Sequence, residues 1–70
     1  MKYLAQIETT DSDKWEPVSA ADREAAALAL LRKTKDAAKL LPCTIYVSLG
    51  DMRHENGAPM AVESFKVARA

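Results

Sequence analysis

The residues best suited to chemistry surround His54, the one histidine of the chain. Asp51, Arg53 and Glu55 flank it, and an imidazole among carboxylates is a combination used in general acid–base catalysis and in metal binding. The cluster directly precedes an Asn-Gly pair that is typical of a hairpin turn. A metal site needs three or four ligands, and the sequence holds no second histidine and only one cysteine to supply them. We therefore interpret the cluster as a solvated loop and expect no metal and no cofactor.

Cys43 is the other candidate, because a thiolate is both a nucleophile and a metal ligand. It opens an apolar segment, where a buried structural thiol is the better interpretation. The serines and threonines show no arrangement with a base of the triad type, and two glycines cannot form a phosphate-binding loop. A single cysteine allows no internal disulfide and fits a reducing compartment. The sequence thus predicts a protein that is not an enzyme and has no catalytic residue.

Length and charge limit the classes of function that remain possible. Seventy residues, with ten basic and ten acidic side chains, predict a single domain over residues 1–70. Domains that bind nucleic acid mainly through charge are strongly basic, and this chain has no net charge. Nucleic acid is therefore an alternative partner that stays open but is not favoured. No apolar run approaches the ~18 residues of a membrane span, and no signal peptide precedes the first strand-like segment. We expect a cytoplasmic protein without membrane contact.

Alternation of apolar and polar residues predicts the strands. Residues 2–9 alternate as a half-buried strand does, and residues 43–49 do so more strongly. Residues 15–18 predict a short strand that Pro17 confines to a sheet edge.

The C-terminal part predicts a hairpin. Residues 60–69 form the last predicted strand, which pairs back through a type I′ turn at Asn56-Gly57. The apolar spacing in this strand shifts by one residue, and a bulge near Gly50 or Glu63 would explain the shift.

A long helix is predicted over residues 20–41, where nearly every residue favours helix. Ser19 and Asp22 have the spacing of a capping box, and Pro42 ends the helix. About 22 residues would give a rod of roughly 33 Å. The fold class is therefore α+β, with one long helix packed on a three- to four-stranded antiparallel sheet in the order β(β)αββ. The stripe predicted to face the sheet comprises Ala20, Ala27, Leu30, Leu31, Thr34, Ala38 and Leu41.

Charged residues are spread unevenly along the chain. Acids precede the predicted helix and bases follow its middle, an order that the helix dipole explains in part. The part of this charge pattern that the dipole does not explain suggests that the basic helix end contacts a phosphate or an acidic protein patch. The charged contact residues that we predict are Arg32, Lys33, Lys35 and Lys39 at the helix end and Asp11, Asp13 and Glu16 before the helix.

Tyr46 and Trp15 are the predicted aromatic contacts. If Ile45 and Val47 face the helix, Tyr46 lies on the opposite face of the sheet, which a single helix cannot cover. Exposed aromatics among polar groups are typical binding anchors, although isolated aromatics on an ordinary wet sheet give the same pattern. The same face, or an edge strand, would serve a homodimer equally well.

The order of elements along the whole chain resembles that of small phage-encoded type I anti-CRISPR proteins. It comprises an N-terminal strand (KYLAQIET), an acidic turn, a short stretch with Trp15 and Val18, a helix opened by SAADREAA and a hairpin. The resemblance implies an inert inhibitor that docks on a Cas complex, through a type I Cas subunit, and blocks target DNA binding or cleavage in a bacterial host. It includes no signature motif and transfers no functional residue.

A second resemblance is to the partial RNase-H-like domain of HicB-type antitoxins, which begins with a similar strand, turn, strand and helix. The stretch KWEPVS lacks the glycine- and proline-containing connection usual in that group, and no DNA-binding helix-turn-helix follows. This resemblance implies the alternative function, a small antitoxin-like or nucleic-acid-binding homodimer.

Overall fold

A computed structural model describes residues 1–8 and 14–69 of the chain. One α-helix packs on one face of a four-stranded antiparallel sheet whose strand order is β2-β1-β3-β4. The predicted α+β class is confirmed, and the sheet has the larger of the two predicted strand numbers. The elements are β1 (Lys2–Ile7), β2 (Glu16–Ser19), α1 (Arg23–Lys33), a short 3-10 helix (Ala37–Leu40), β3 (Cys43–Ser48) and β4 (Glu63–Val67).

The core lies between α1 and the sheet, as the alternation along the strands predicts. Ala26 and Ala27 bring the helix backbone close to the sheet because their side chains are small, and Leu30 fills the space beside them. Of the predicted helix stripe, Ala27 and Leu30 are buried, whereas Ala38 is exposed. The buried apolar residues are Tyr3, Ala5, Ile7, Val18, Ala26, Ala27, Leu30, Ile45 and Val47.

The predicted long helix is wrong at both ends. The Asp22 carboxylate accepts the Ala25 N–H at 2.8 Å, so Asp22 caps the helix in place of Ser19. The helix ends at Lys33 because Thr34 has extended dihedral angles and its hydroxyl donates to the Leu30 carbonyl at 2.7 Å. Two residues later Asp36 adopts a left-handed conformation (φ 58°) that no helix accommodates.

The hairpin between β3 and β4 turns differently from the prediction. Gly57 has a positive φ of 86°, but Asn56 does not share it, so the predicted type I′ turn is wrong. The Gly57 N–H donates to the His54 carbonyl at 2.9 Å, and the His54 N–H donates to the Ala58 carbonyl at 2.9 Å. The Asn56 side chain accepts the Ala58 N–H at 3.0 Å, which holds the turn locally.

Strand β4 begins later than the sequence predicts, at Glu63 rather than at residue 60. Val47 is paired with Glu63, yet its carbonyl also accepts the N–H of Val62 at 2.8 Å. Two successive residues opposite one is the arrangement of a bulge, which agrees with the bulge predicted near Glu63. As a consequence Phe65, which is paired with Ile45, lies on the helix side of the sheet.

Candidate binding surface on the open face of the sheet

The side of the sheet opposite α1 forms a continuous surface, here termed the open face. Successive strand residues point to opposite sides, so the neighbours of the buried residues make up this face. Its central row runs across three strands, from Gln6 to Tyr46 to Ser64. Its side chains belong to Lys2, Leu4, Gln6, Pro17, Ser19, Thr44, Tyr46, Ser64 and Lys66, whereas Ser48 on the same side is fully buried. The placement of Tyr46 on the side away from the helix is thereby confirmed.

Tyr46 is half-buried near the middle of the open face. Its hydroxyl donates a hydrogen bond to the Glu8 carboxylate, and this bond, more than partial burial or the nearby negative charge, raises the pKa of Tyr46 above its ordinary value of 10.0. Glu8 is itself anchored, because its N–H donates to the Thr44 carbonyl at 2.8 Å. The hydroxyl thus stays protonated beside a carboxylate.

An apolar depression of about 430 Å³ lies at one end of this face. Leu4 and Pro17 pair across β1 and β2 and line it together with Leu49 and Gly50. Leu4 is paired with Ser48, which makes Tyr46 its diagonal neighbour on β3, a separation that long side chains span. The depression and the Tyr46 ring are therefore neighbours on the open face.

Trp15 lies beside this surface. It is half-buried and immediately precedes β2. Extending the alternation of β2 by one residue puts Trp15 on the side of Pro17, at the edge of the open face. On this extension of the alternation, the two aromatic residues that the sequence singles out share one side of the sheet.

The predicted charged residues do not form one patch. Lys33 approaches Glu16 to 3.8 Å and donates to the Pro17 carbonyl at 3.3 Å, so members of the basic and acidic sets pair with each other. Arg32 lies in the last turn of α1, whereas Lys35 lies in the following loop. Lys39 belongs to the 3-10 helix, and all three are exposed. Asp11 and Asp13 lie outside the described residues.

The residues that could take part in chemistry, His54 and Cys43, lie outside the open face and in different elements. His54 is exposed in the hairpin, where the Arg53 guanidinium donates to the Gly57 carbonyl at 2.9 Å. Cys43 is half-buried, and burial raises the pKa of its thiol, which disfavours the reactive thiolate. Among residues 1–8 and 14–69, no three His, Cys, Asp or Glu side chains are grouped as a metal site requires.

Sequence reasoning missed the part that Glu8 and Pro17 have in this surface. Alternation along β1 does put Glu8 on the side of Leu4 and Gln6. It gives no indication of the register between β1 and β3, which brings Glu8 to the Tyr46 hydroxyl. Pro17 signals an edge strand, but the depression forms only where Leu49 and Gly50 return beside Leu4.

Comparisons with known proteins give no match to a family model, to a curated protein or to a solved structure. None of the helices in the described part of the chain has the length and apolar character needed to cross a membrane. The fold and its surface therefore define the class: a small α+β domain whose sheet has one face packed against a helix and one amphipathic open face.

Proposed function

We propose that this chain is a non-enzymatic domain that binds a protein partner through its open face, with Tyr46 as the central anchor. The observation that carries the proposal is the position of Tyr46, half-buried on the sheet face away from α1 between Gln6 and Ser64. Tyrosine is enriched among the residues that dominate binding energy at protein interfaces, because it buries much apolar area and loses little conformational entropy.

Charge supports a protein partner over nucleic acid. Surfaces that bind single strands combine stacking aromatics with a positively charged groove that follows the phosphates. Here the aromatic ring has the Glu8 carboxylate beside its hydroxyl, and Lys66, opposite Thr44, is a single cation diagonal to it in the sheet register rather than part of a basic groove. A carboxylate in this position repels a phosphate backbone, whereas a protein partner can offer it a hydrogen-bond donor or a cation.

The resemblance to type I anti-CRISPR proteins provides the first partner to test, a type I Cas subunit in the cytoplasm of a bacterial host. In that role the domain would occupy a surface of the Cas complex and block target DNA binding or cleavage. Tyr46 and Trp15 would supply the apolar contact of this interface.

The test is a pull-down from lysate of bacteria that express type I Cas proteins, performed with and without nuclease and read by mass spectrometry. Three tagged chains are compared: the wild type, Tyr46→Ala, and Leu28→Ala as the matched control. Leu28 is an apolar residue with 42% of its surface exposed, but it lies on α1. Both variants therefore remove an accessible apolar side chain, from opposite sides of the sheet.

The proposal predicts proteins that the wild type and Leu28→Ala retain after nuclease treatment and that Tyr46→Ala loses at least about tenfold, the effect of one strong interface residue. Equal capture by all three chains, or capture by none, contradicts it. Capture that disappears with nuclease favours the alternative, a nucleic-acid-binding protein.

A further inference from the structure

The two edges of the sheet differ in whether another strand can be added. On the β2 side, the Glu8 N–H bond to Thr44 shows that even-numbered residues of β1 direct their backbone groups toward β3. Pro17, which is paired with the even-numbered Leu4, therefore directs its backbone to the outside. There it has no N–H to offer, and Lys33 already donates to its carbonyl at 3.3 Å. This edge is closed to a further strand.

The β4 edge is not closed in this way. The same alternation leaves the odd-numbered residues of β3 bonded to β4, so Ile45 and Phe65 exchange backbone bonds. Ser64 and Lys66 then direct their N–H and C=O groups away from the sheet. No strand of the described residues lies beyond β4, and β4 contains no proline. It offers two outward donors and two outward acceptors, spaced two residues apart.

We propose that β4 pairs with β4 of a second copy of this chain, antiparallel and centred on Phe65, to form a continuous eight-stranded sheet. In that register Ser64 of one copy is opposite Lys66 of the second copy, and the outward groups form four hydrogen bonds by symmetry. Glu63 is opposite Val67 of the second copy, so no like charges are directly opposed. The edge complements itself, which is what a two-fold interface requires.

The side chains on the helix side of β4 favour a second copy of this chain as the partner of the edge. The helix packs mainly on β1 and β2 and contacts β4 least, which leaves Phe65 and Val67 only half-buried and Leu28 exposed. With helices on the same side of the joined sheet, Phe65 meets Phe65 of the second copy at the symmetry axis. The apolar surface that one short helix leaves uncovered is then covered by its own symmetry mate.

This inference is independent of the proposed function, and it leaves the open face free. Both open faces lie on one side of the joined sheet. Three strand spacings and a shift of two residues separate the two Tyr46 rings by roughly 15 Å. A dimer of this kind would present two anchors to a partner at once.

The experiment measures the mass of the purified chain by sedimentation equilibrium from about 1 µM to about 1 mM, a range that covers weak and moderate self-association. Lys66→Pro is compared with Lys66→Ala. Both remove the Lys66 side chain, but only proline removes the outward N–H, and edge strands tolerate proline at such a position. We expect the wild type and Lys66→Ala to rise from 7.7 kDa toward twice that mass. Lys66→Pro should stay a monomer with an unchanged far-ultraviolet circular dichroism spectrum.

If Lys66→Pro fails to fold, hydrogen exchange of the wild type tests whether β4 pairs with a second copy. The Ser64 and Lys66 amides should exchange roughly tenfold more slowly in concentrated than in dilute solution, because pairing protects them only in the dimer. The Glu55 amide, in the exposed hairpin, should be unaffected. A wild type that stays monomeric at 1 mM, a Lys66→Pro variant that associates like the wild type, or equal exchange at both concentrations overturns the proposal.

Discussion

Strand β3 has two faces that obey different constraints. Ile45 and Val47 are fully buried under α1, where the buried alanines Ala26 and Ala27 let the helix backbone lie close to the sheet. Tyr46, between them in sequence, points the other way and is only half-buried. A side chain enclosed on all sides is fixed by packing, whereas a ring with water on one side is not. The aromatic ring on the open face is therefore the one whose presence packing does not explain.

The largest expected effect lies on the helix face. Ile45→Ala leaves a cavity under α1 and should lower the free energy of unfolding by about 3 kcal/mol, a large share for so small a domain. Tyr46→Ala, one residue along the same strand, should lower it by about 1 kcal/mol or less, because water fills the space that the ring leaves. Urea unfolding followed by circular dichroism measures both. Equal losses would mean that the Tyr46 ring is part of a packed core, and the distinction between the faces would fail.

A smaller effect is expected at the start of the helix that covers one face. Asp22→Ala removes the acceptor for the Ala25 N–H and should cost about 1 kcal/mol. Asp22→Asn retains a capping oxygen and should cost much less, which makes it the matched control for charge. The same urea titration applies. If Ser19→Ala proves the more damaging change, the helix starts where the sequence, and not the structure, places it.

The smallest expected effect is a change of stability with pH, which tests the contact between Tyr46 and Glu8 on the open face. The Glu8 carboxylate accepts the Tyr46 hydroxyl and raises its pKa, so the folded state holds this proton to a higher pH than the unfolded state. The contribution to stability is complete below pH 10.0, the ordinary value for tyrosine, and is lost as the pH rises through the folded pKa.

Glu8→Gln should lower the pKa of Tyr46 toward its ordinary value. Tyrosinate absorbance in a Tyr3→Phe background, with Tyr46 as the remaining tyrosine, reports it directly. An unchanged titration in the Glu8→Gln variant would show that Glu8 does not hold the ring.

Local patterns in the sequence predict the two faces well. Alternation in residues 2–7 and 43–48 puts Tyr3 and Ile45 in the core and Tyr46 outside it, because a strand has a period of two. Pro17 marks an edge strand for an equally local reason, its missing N–H.

The errors arise where local preference competes with tertiary structure. The residues on both sides of 34–36 favour helix by composition, yet the Thr34 hydroxyl bonds back to Leu30 and Thr34 has extended dihedral angles. Asn56-Gly57 suggests a type I′ turn, but the Asn56 side chain satisfies the Ala58 N–H and only Gly57 takes a positive φ.

The candidate surface was only half accessible to sequence reasoning. Tyr46 and Trp15 follow from alternation, but the bond from Tyr46 to Glu8 depends on a register between strands 38 residues apart in the chain, from Glu8 to Tyr46. The pairing of Lys33 with Glu16 likewise depends on how α1 lies beside β2. Neither of these two contacts can be predicted from a local sequence pattern.

The most direct test of the central claim maps the binding surface residue by residue. A ¹⁵N-labelled sample of the chain is titrated with a protein captured in the nuclease-resistant pull-down, and amide signals are followed by nuclear magnetic resonance. We predict signal loss centred on Gln6, Tyr46 and Ser64, with Leu28 on the helix unaffected. Signal loss along α1 that spares these three residues would contradict the claim that the open face of the sheet is the binding surface.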